Sequence, residues 1–232
     1  MKTKQKFSVF NCHIPISYGC VRNLGVYLDS NLSMETHVIK TIQACHYYLK
    51  AIGKIRNILD EDTTKLLMSS FILSRLDYCN ALLVGSPKYL LDKLQKVQNK
   101  AARIVTKTKT DQHIIPILQS LHWLPLCFRI EYKILCFCYK TYYDIAPTYI
   151  QELVQHYQPA RSLRSSNALV LTPAPTQSTF SARSFSVAGP KLWSSLDISI
   201  RAISGFDDFK VWEYTPDMDY IGQISDFYFF VI

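Results

Sequence analysis

Apolar positions recur at helical spacing through the first two thirds of the chain. From Ser33 to about residue 59, Val38, Ile42, Cys45, Leu49, Ile52 and Ile55 fall three and four apart, which predicts an amphipathic helix with Ser33 as its cap. Asp60 or Asp62 is placed to cap a second, more uniformly apolar helix reaching about Val84. Gly85 then ends that helix, Ser86 caps the next and Pro87 takes its first position. In this third helix Leu90, Leu94, Val97, Ala101 and Ile104 form one row, a seam for docking on a core. A polar turn over residues 106–111 leads to a short helix near Ile114–Ser120. Pro125 opens a long apolar helix to about Asp144, expected to be central and covered on most sides.

The ends read differently. Residues 14–17 and 24–28 alternate as candidate strands of a β-hairpin around Tyr18 and Gly19. From Gln158 the texture changes, and residues 161–191 mix Ser, Thr, Ala and prolines without sustained periodicity, as in an extended segment or a linker. The pattern predicts a mainly α chain. A hairpin occupies residues 1–30, a helical domain residues 31–157 and an irregular extension residues 158–232.

Composition supports a packed chain, because 48% of the residues are hydrophobic and 13% aromatic, too apolar for wholesale disorder. The formal charge of +8 is unevenly placed. Residues 1–110 hold 17 Lys/Arg against 7 Asp/Glu, and residues 111–232 hold 9 against 11. The excess sits in the half that contains the third helix. There Lys93, Lys96, Lys100, Arg103 and Lys107 make a second row beside the apolar seam. A helix docked by one stripe and offering cations along another suits a polyanion, above all a nucleic-acid backbone. Such patterning reports solubility as readily as a ligand, so the row alone leaves a solvated basic face open.

Several short stretches occur in a fixed order: VRNLGVYLD (21–29), SRLDYCNALL (74–83), LQKVQNKAARIV (94–105), LHWLP (121–125) with RIEYKIL (129–135), and RSLRSS (161–166). Together they resemble the region after the polymerase palm in reverse transcriptases of LINE-type, non-LTR retrotransposons, Jockey-like or chicken-repeat-like. The resemblance spans roughly residues 14–210. It implies that the LGV segment closes the palm and that the following helices form a thumb-like bundle and extension holding template and primer. The implied partners are RNA and DNA as a template-primer duplex, and a palm domain. In this family WNSLP commonly stands where this chain has WSSLD (193–197), which leaves Trp193 as an anchor.

The chemistry of that family does not follow the resemblance into this chain. Polymerisation uses two metal ions held by carboxylates, supplied in the family by an F/Y-x-D-D box that belongs upstream of Val21. The adjacent aspartates here, Asp207 and Asp208, directly follow Phe206 and read as the start of a short helix. No catalytic residue, metal or cofactor is therefore expected, and the isolated chain is not expected to be an enzyme.

Cys12, Cys20, Cys45, Cys79, Cys127, Cys136 and Cys138 lack the paired spacing of a zinc site. His113, His122 and Cys127 form only a loose cluster, and reduced, buried thiols of an intracellular protein, cytoplasmic or nuclear, are expected. No run of apolar residues is long enough to span a membrane. Arg129 and Lys133, one turn apart, are expected to snorkel to the surface. His122 and Trp123 are expected as a packed aromatic corner. Two further readings remain alongside nucleic-acid grip: a repurposed module that meets another protein or itself through apolar surface, and an inert relic of a mobile element.

Overall fold

The computed structural model describes residues 6–9, 12–15, 19–157, 169–176, 178 and 181–211. RSLRSS and the C-terminal DFYFFVI lie outside them. The described fold is mainly helical, with short antiparallel pairs near the N-terminus.

Among the described residues the two candidate strands pair with nearer segments instead of with each other, and Tyr18 of the expected turn lies outside those residues. β1 (Lys6–Val9) pairs with β2 (Cys12–Pro15), and β3 (Val21–Asn23) with β4 (Val26–Leu28). Asn23 faces Val26 across a two-residue turn in which Leu24 and Gly25 both have positive φ, 45° and 82°. That is the turn whose twist matches a tight hairpin, and it takes Leu24 out of the strand.

Asp29 organises the entry to the first helix. Its carboxylate accepts the N–H groups of Asn31 and Ser33 at 3.0 and 2.9 Å and the Ser33 hydroxyl at 2.9 Å. Ser33 Oγ in turn accepts the N–H of Glu35, first residue of α1 (Glu35–Ile55). Val38, Cys45, Leu49 and Ile52 are buried as the spacing predicts, but Ile55 is exposed. There the chain tightens into a 3₁₀ turn at Arg56–Ile58 and rotates off the seam.

The second expected helix is interrupted. α2 (Glu61–Met68), with Asp60 at its N-cap, passes through a π turn at Ser69–Leu73 into α3 (Ser74–Asp77). Tyr78 is then extended, Cys79 is left-handed and a 3₁₀ turn covers Asn80–Leu83. Gly85, at φ 63°, ends this stretch as expected. α4 (Lys88–Thr106) follows with Pro87 at the N-cap, one position earlier than predicted, while Arg183 Nη2 donates to the Ser86 hydroxyl at 3.0 Å.

α5 (Ile114–Ser120) and α6 (Leu126–Tyr142) fall where the periodicity places them. α6 is central: Ile130, Ile134, Leu135, Cys138 and Tyr139 are all buried. After α7 (Thr148–Gln151), β5 (Gln155–His156) pairs with β6 (Leu171–Thr172). α8 (Phe185–Ser195) then packs on α6, a helix that begins inside the stretch expected to be irregular. Its Pro190 leaves the carbonyl of Ser186 without a helical donor, and the N–H of Ala174 supplies one at 3.0 Å. Gly189 allows close approach to α6, because a Cβ there would lie 2.9 Å from Cys138 Sγ.

Trp193 is fully buried and donates through Nε1 to the Leu169 carbonyl at 2.8 Å. α9 (Ile198–Arg201) is capped by Asp197, which accepts the Ser199 N–H at 2.8 Å, so the WSSLD sequence makes a turn. α10 (Phe206–Val211) places Phe209 in the same core, 4.4 Å between ring centres from Tyr139.

Candidate nucleic-acid interface

The sequence pattern of α4 is reproduced in space on its core side. Leu90, Leu94, Val97 and Ala101 are buried and Ile104 half-buried, with Gln98, Ala102 and Val105 widening the seam. Lys93, Lys96 and Lys100 are exposed along the outer face. Among the described residues none of the three forms an ion pair, and Lys93 Nζ lies 5.2 Å above the ring of Tyr89.

Arg103 and Lys107 are placed differently from the other three. Arg103 is half-buried, and its guanidinium donates to the carbonyls of Lys109 and Gln112, the latter at 2.6 Å. It folds the 107–112 turn back on the helix end. Lys107 is left-handed at φ 54° and ends α4, so it leaves the row while staying exposed. The cationic rail on the helix is therefore three lysines long.

Arg56 also serves the C-terminal end of α4. It is buried and donates to the carbonyls of Ile104 at 2.8 Å, Val105 at 2.6 Å and Leu59 at 2.7 Å. A guanidinium at that end satisfies orphan carbonyls and complements the helix dipole. Nothing in the local sequence pattern marks Arg56 apart from other basic residues.

The short motifs meet one another in the fold. Gln95 Oε1 accepts the N–H of Leu126 at 2.8 Å and Gln98 Nε2 donates to the Leu124 carbonyl at 2.9 Å, gripping the chain on both sides of Pro125. LQKVQN thus holds LHWLP in place. Trp123 is buried, whereas His122 is an exposed left-handed residue and not part of a packed corner. The turn needs a residue with positive φ between Leu121 and Trp123, and the histidine ring is turned to solvent by that backbone.

Arg129 does not snorkel. It is buried and bonds the carboxylate of Asp77 through Nε, at 2.7 Å, and Nη2. Asn80 Nδ2 approaches the same carboxylate at 3.4 Å and Lys133 Nζ the Asp77 carbonyl at 3.5 Å. LDYCN and RIEYK are joined here, and Tyr78 donates its hydroxyl to the Leu24 carbonyl in the LG turn. A carboxylate at position 77 is what makes a buried guanidinium tolerable at 129.

The aspartate pair behaves as expected: Asp207 and Asp208 lie in the first turn of α10, and Lys210 Nζ bonds Asp207 at 2.5 Å. Among the described residues no group of His, Cys, Asp and Glu is arranged to hold a metal, and no helix is long and apolar enough to cross a membrane. Cys136 and Cys138 are free, and burial pushes the Cys136 thiol up to about 11 and the Cys138 thiol higher still. Neither is a nucleophile at neutral pH. Comparison of the chain with protein-family models, curated proteins and solved structures found no match.

Proposed function

We propose that this chain is the post-palm, thumb-like part of a LINE-type reverse transcriptase and that α4 grips the backbone of template-primer nucleic acid. One observation carries the reading: Lys93, Lys96 and Lys100 stand exposed along a helix docked by its other side, with no carboxylate paired to them among the described residues. An unneutralised row of this kind attracts phosphates without regard to sequence. The meeting of the LG turn with LDYCN, of LDYCN with RIEYK, and of LQKVQN with LHWLP supports it, because residues shared with that family are here the ones that join elements. In this reading the chain contributes grip and the palm contributes chemistry.

The test is binding of the purified chain to a labelled RNA–DNA duplex across a salt series. Each phosphate contact adds about −0.9 to the slope of log affinity on log salt. Replacing Lys93, Lys96 and Lys100 by Gln is expected to flatten the slope by about 2.7 with the fold intact by circular dichroism. An unchanged slope defeats the proposal.

A specific feature favours the competing reading as a protein-binding module. An apolar groove of about 400 Å³ lies between β4, the 80–83 turn, α6, α7 and the start of α8, lined by Leu28, Leu82, Ile134, Phe137, Leu153 and Phe185. Under that reading the lysine variant binds a protein partner, a palm domain included, as the wild type does.

A further inference from the structure

The outer face of α1 carries cations away from its apolar seam. Lys40, Lys50 and Lys54 are exposed, and the helix's one carboxylate, Glu35, lies at its N-terminal end. Tyr47 shares the face of Lys50 and Lys54, three and seven residues away. It is 71% exposed, the most open Phe, Tyr or Trp ring among the described residues.

That ring is also held from behind. Tyr47 stands edge-on against Tyr48, 5.2 Å between centres at 86°. Tyr48 stacks on Phe71 at 4.9 Å and 16°, and Arg75 caps the stack, its guanidinium carbon 4.8 Å from the Tyr48 ring centre and Nη2 donating to the Tyr48 hydroxyl at 3.2 Å. A four-member cluster thus braces Tyr47, its most exposed ring, with Phe71 partly open beside it.

This face runs beside the α4 rail. At the N-terminal ends of the two helices Arg183 donates to the Leu32 carbonyl at 3.5 Å and to Ser86 Oγ at 3.0 Å. At the C-terminal ends Arg56 donates to Ile104 and Val105. The helices are therefore parallel, and Gly53, whose Cβ would lie 3.9 Å from Ile104 Cδ1, marks their line of contact. Lys50 is one turn before Gly53 and Lys100 one turn before Ile104, so both flank the same line at the same level.

We infer that the α1 face binds an unpaired stretch of nucleic acid, with Lys50 and Lys54 taking phosphates and a base stacking on Tyr47. A duplex hides its base faces in its own stack, whereas a single strand offers a planar apolar face beside each phosphate. Lysines interleaved with a braced, open ring match that alternation. The inference rests on the nucleic-acid reading of α4 for its class of ligand, but uses different residues.

The full chain is titrated with a labelled oligothymidylate and, separately, a blunt duplex. Tyr47→Ala is expected to weaken single-strand binding about tenfold, leave the duplex untouched and keep the salt slope. Tyr47→Phe is expected to bind as the wild type, and Lys50→Gln with Lys54→Gln to flatten the single-strand slope by about 1.4. Wild-type single-strand affinity in Tyr47→Ala, or an equal loss on both ligands, overturns the inference. If the α4 lysine variant keeps its duplex slope while Tyr47→Ala still loses the single strand, the α4 proposal fails and this one stands.

Discussion

Asp77 and Arg129 are each buried beside the other, 52 residues apart in sequence, and the consequence of removing either is asymmetric. Asp77→Ala removes the carboxylate that faces the buried guanidinium, expected to cost about 3–5 kcal/mol in denaturant unfolding. The double substitution Asp77→Leu, Arg129→Met removes both charges and is expected to lose far less. Equal losses in the two variants would mean that packing, and not charge, dominates the site. The buried thiols make a second residue-scale prediction. Burial pushes Cys45 up to about 11, partly countered by the nearby Arg75, and burial likewise pushes Cys136 up to about 11. An unfolded thiol releases its proton near 9, so between these values the unfolded chain binds fewer protons than the folded one. Stability is therefore full below about pH 9 and falls as pH rises towards 11, by up to about 1.4 kcal/mol per pH unit for each such thiol. Replacing Cys45 by Ala is expected to make that fall shallower in unfolding curves taken across the window.

At the scale of elements, the junction of α4 with α6 depends on two amides. Gln98 is fully buried, and Gln98→Ala leaves the Leu124 carbonyl without that donor and opens a void, expected to cost about 3 kcal/mol. Gln95→Ala removes the acceptor for the first N–H of α6 and a donor to Asn99 Oδ1 on its own helix, both at a half-buried site, and is expected to cost about 1 kcal/mol. Thermal melts that reverse this order would refute the assigned roles. These amides also mark the limit of what is legible in the sequence. α1, α5 and α6 appear within a few residues of their predicted ends because each combines a regular stripe with a Ser or Pro near its start or a polar break after it. The segment over residues 61–83 does not, since an evenly apolar run has no phase to show where a π turn and two changes of helix type fall. α8 is hidden by Gly189 and Pro190, which read as breakers until Cys138 and Ala174 are seen to need them. On α4 the lysines at 93, 96 and 100 follow from spacing, but Arg103 is taken by carbonyls of a turn that no periodicity describes.

Across the whole molecule, α6 is the surface on which the C-terminal part is built. Tyr139 donates to the Ile203 carbonyl at 2.9 Å and Tyr143 to that of Arg201 at 2.8 Å, while Trp193 and Phe209 both close on the Tyr139 ring. A change of composition near residue 157 does not imply mechanical independence, because the far side of that change fills the core of the near side. Trp193→Ala is expected to cost about 3–5 kcal/mol and to lower the stability of α1 and α4 together with α8. The measurement is hydrogen exchange read separately in each helix. Loss of protection confined to residues 181–211 would show that this part opens alone. Loss of comparable size in α1 and α4 would show that one cooperative core carries both the α4 rail and the aromatic face of α1, so that damage at Trp193 would weaken the proposed nucleic-acid binding without touching a ligand.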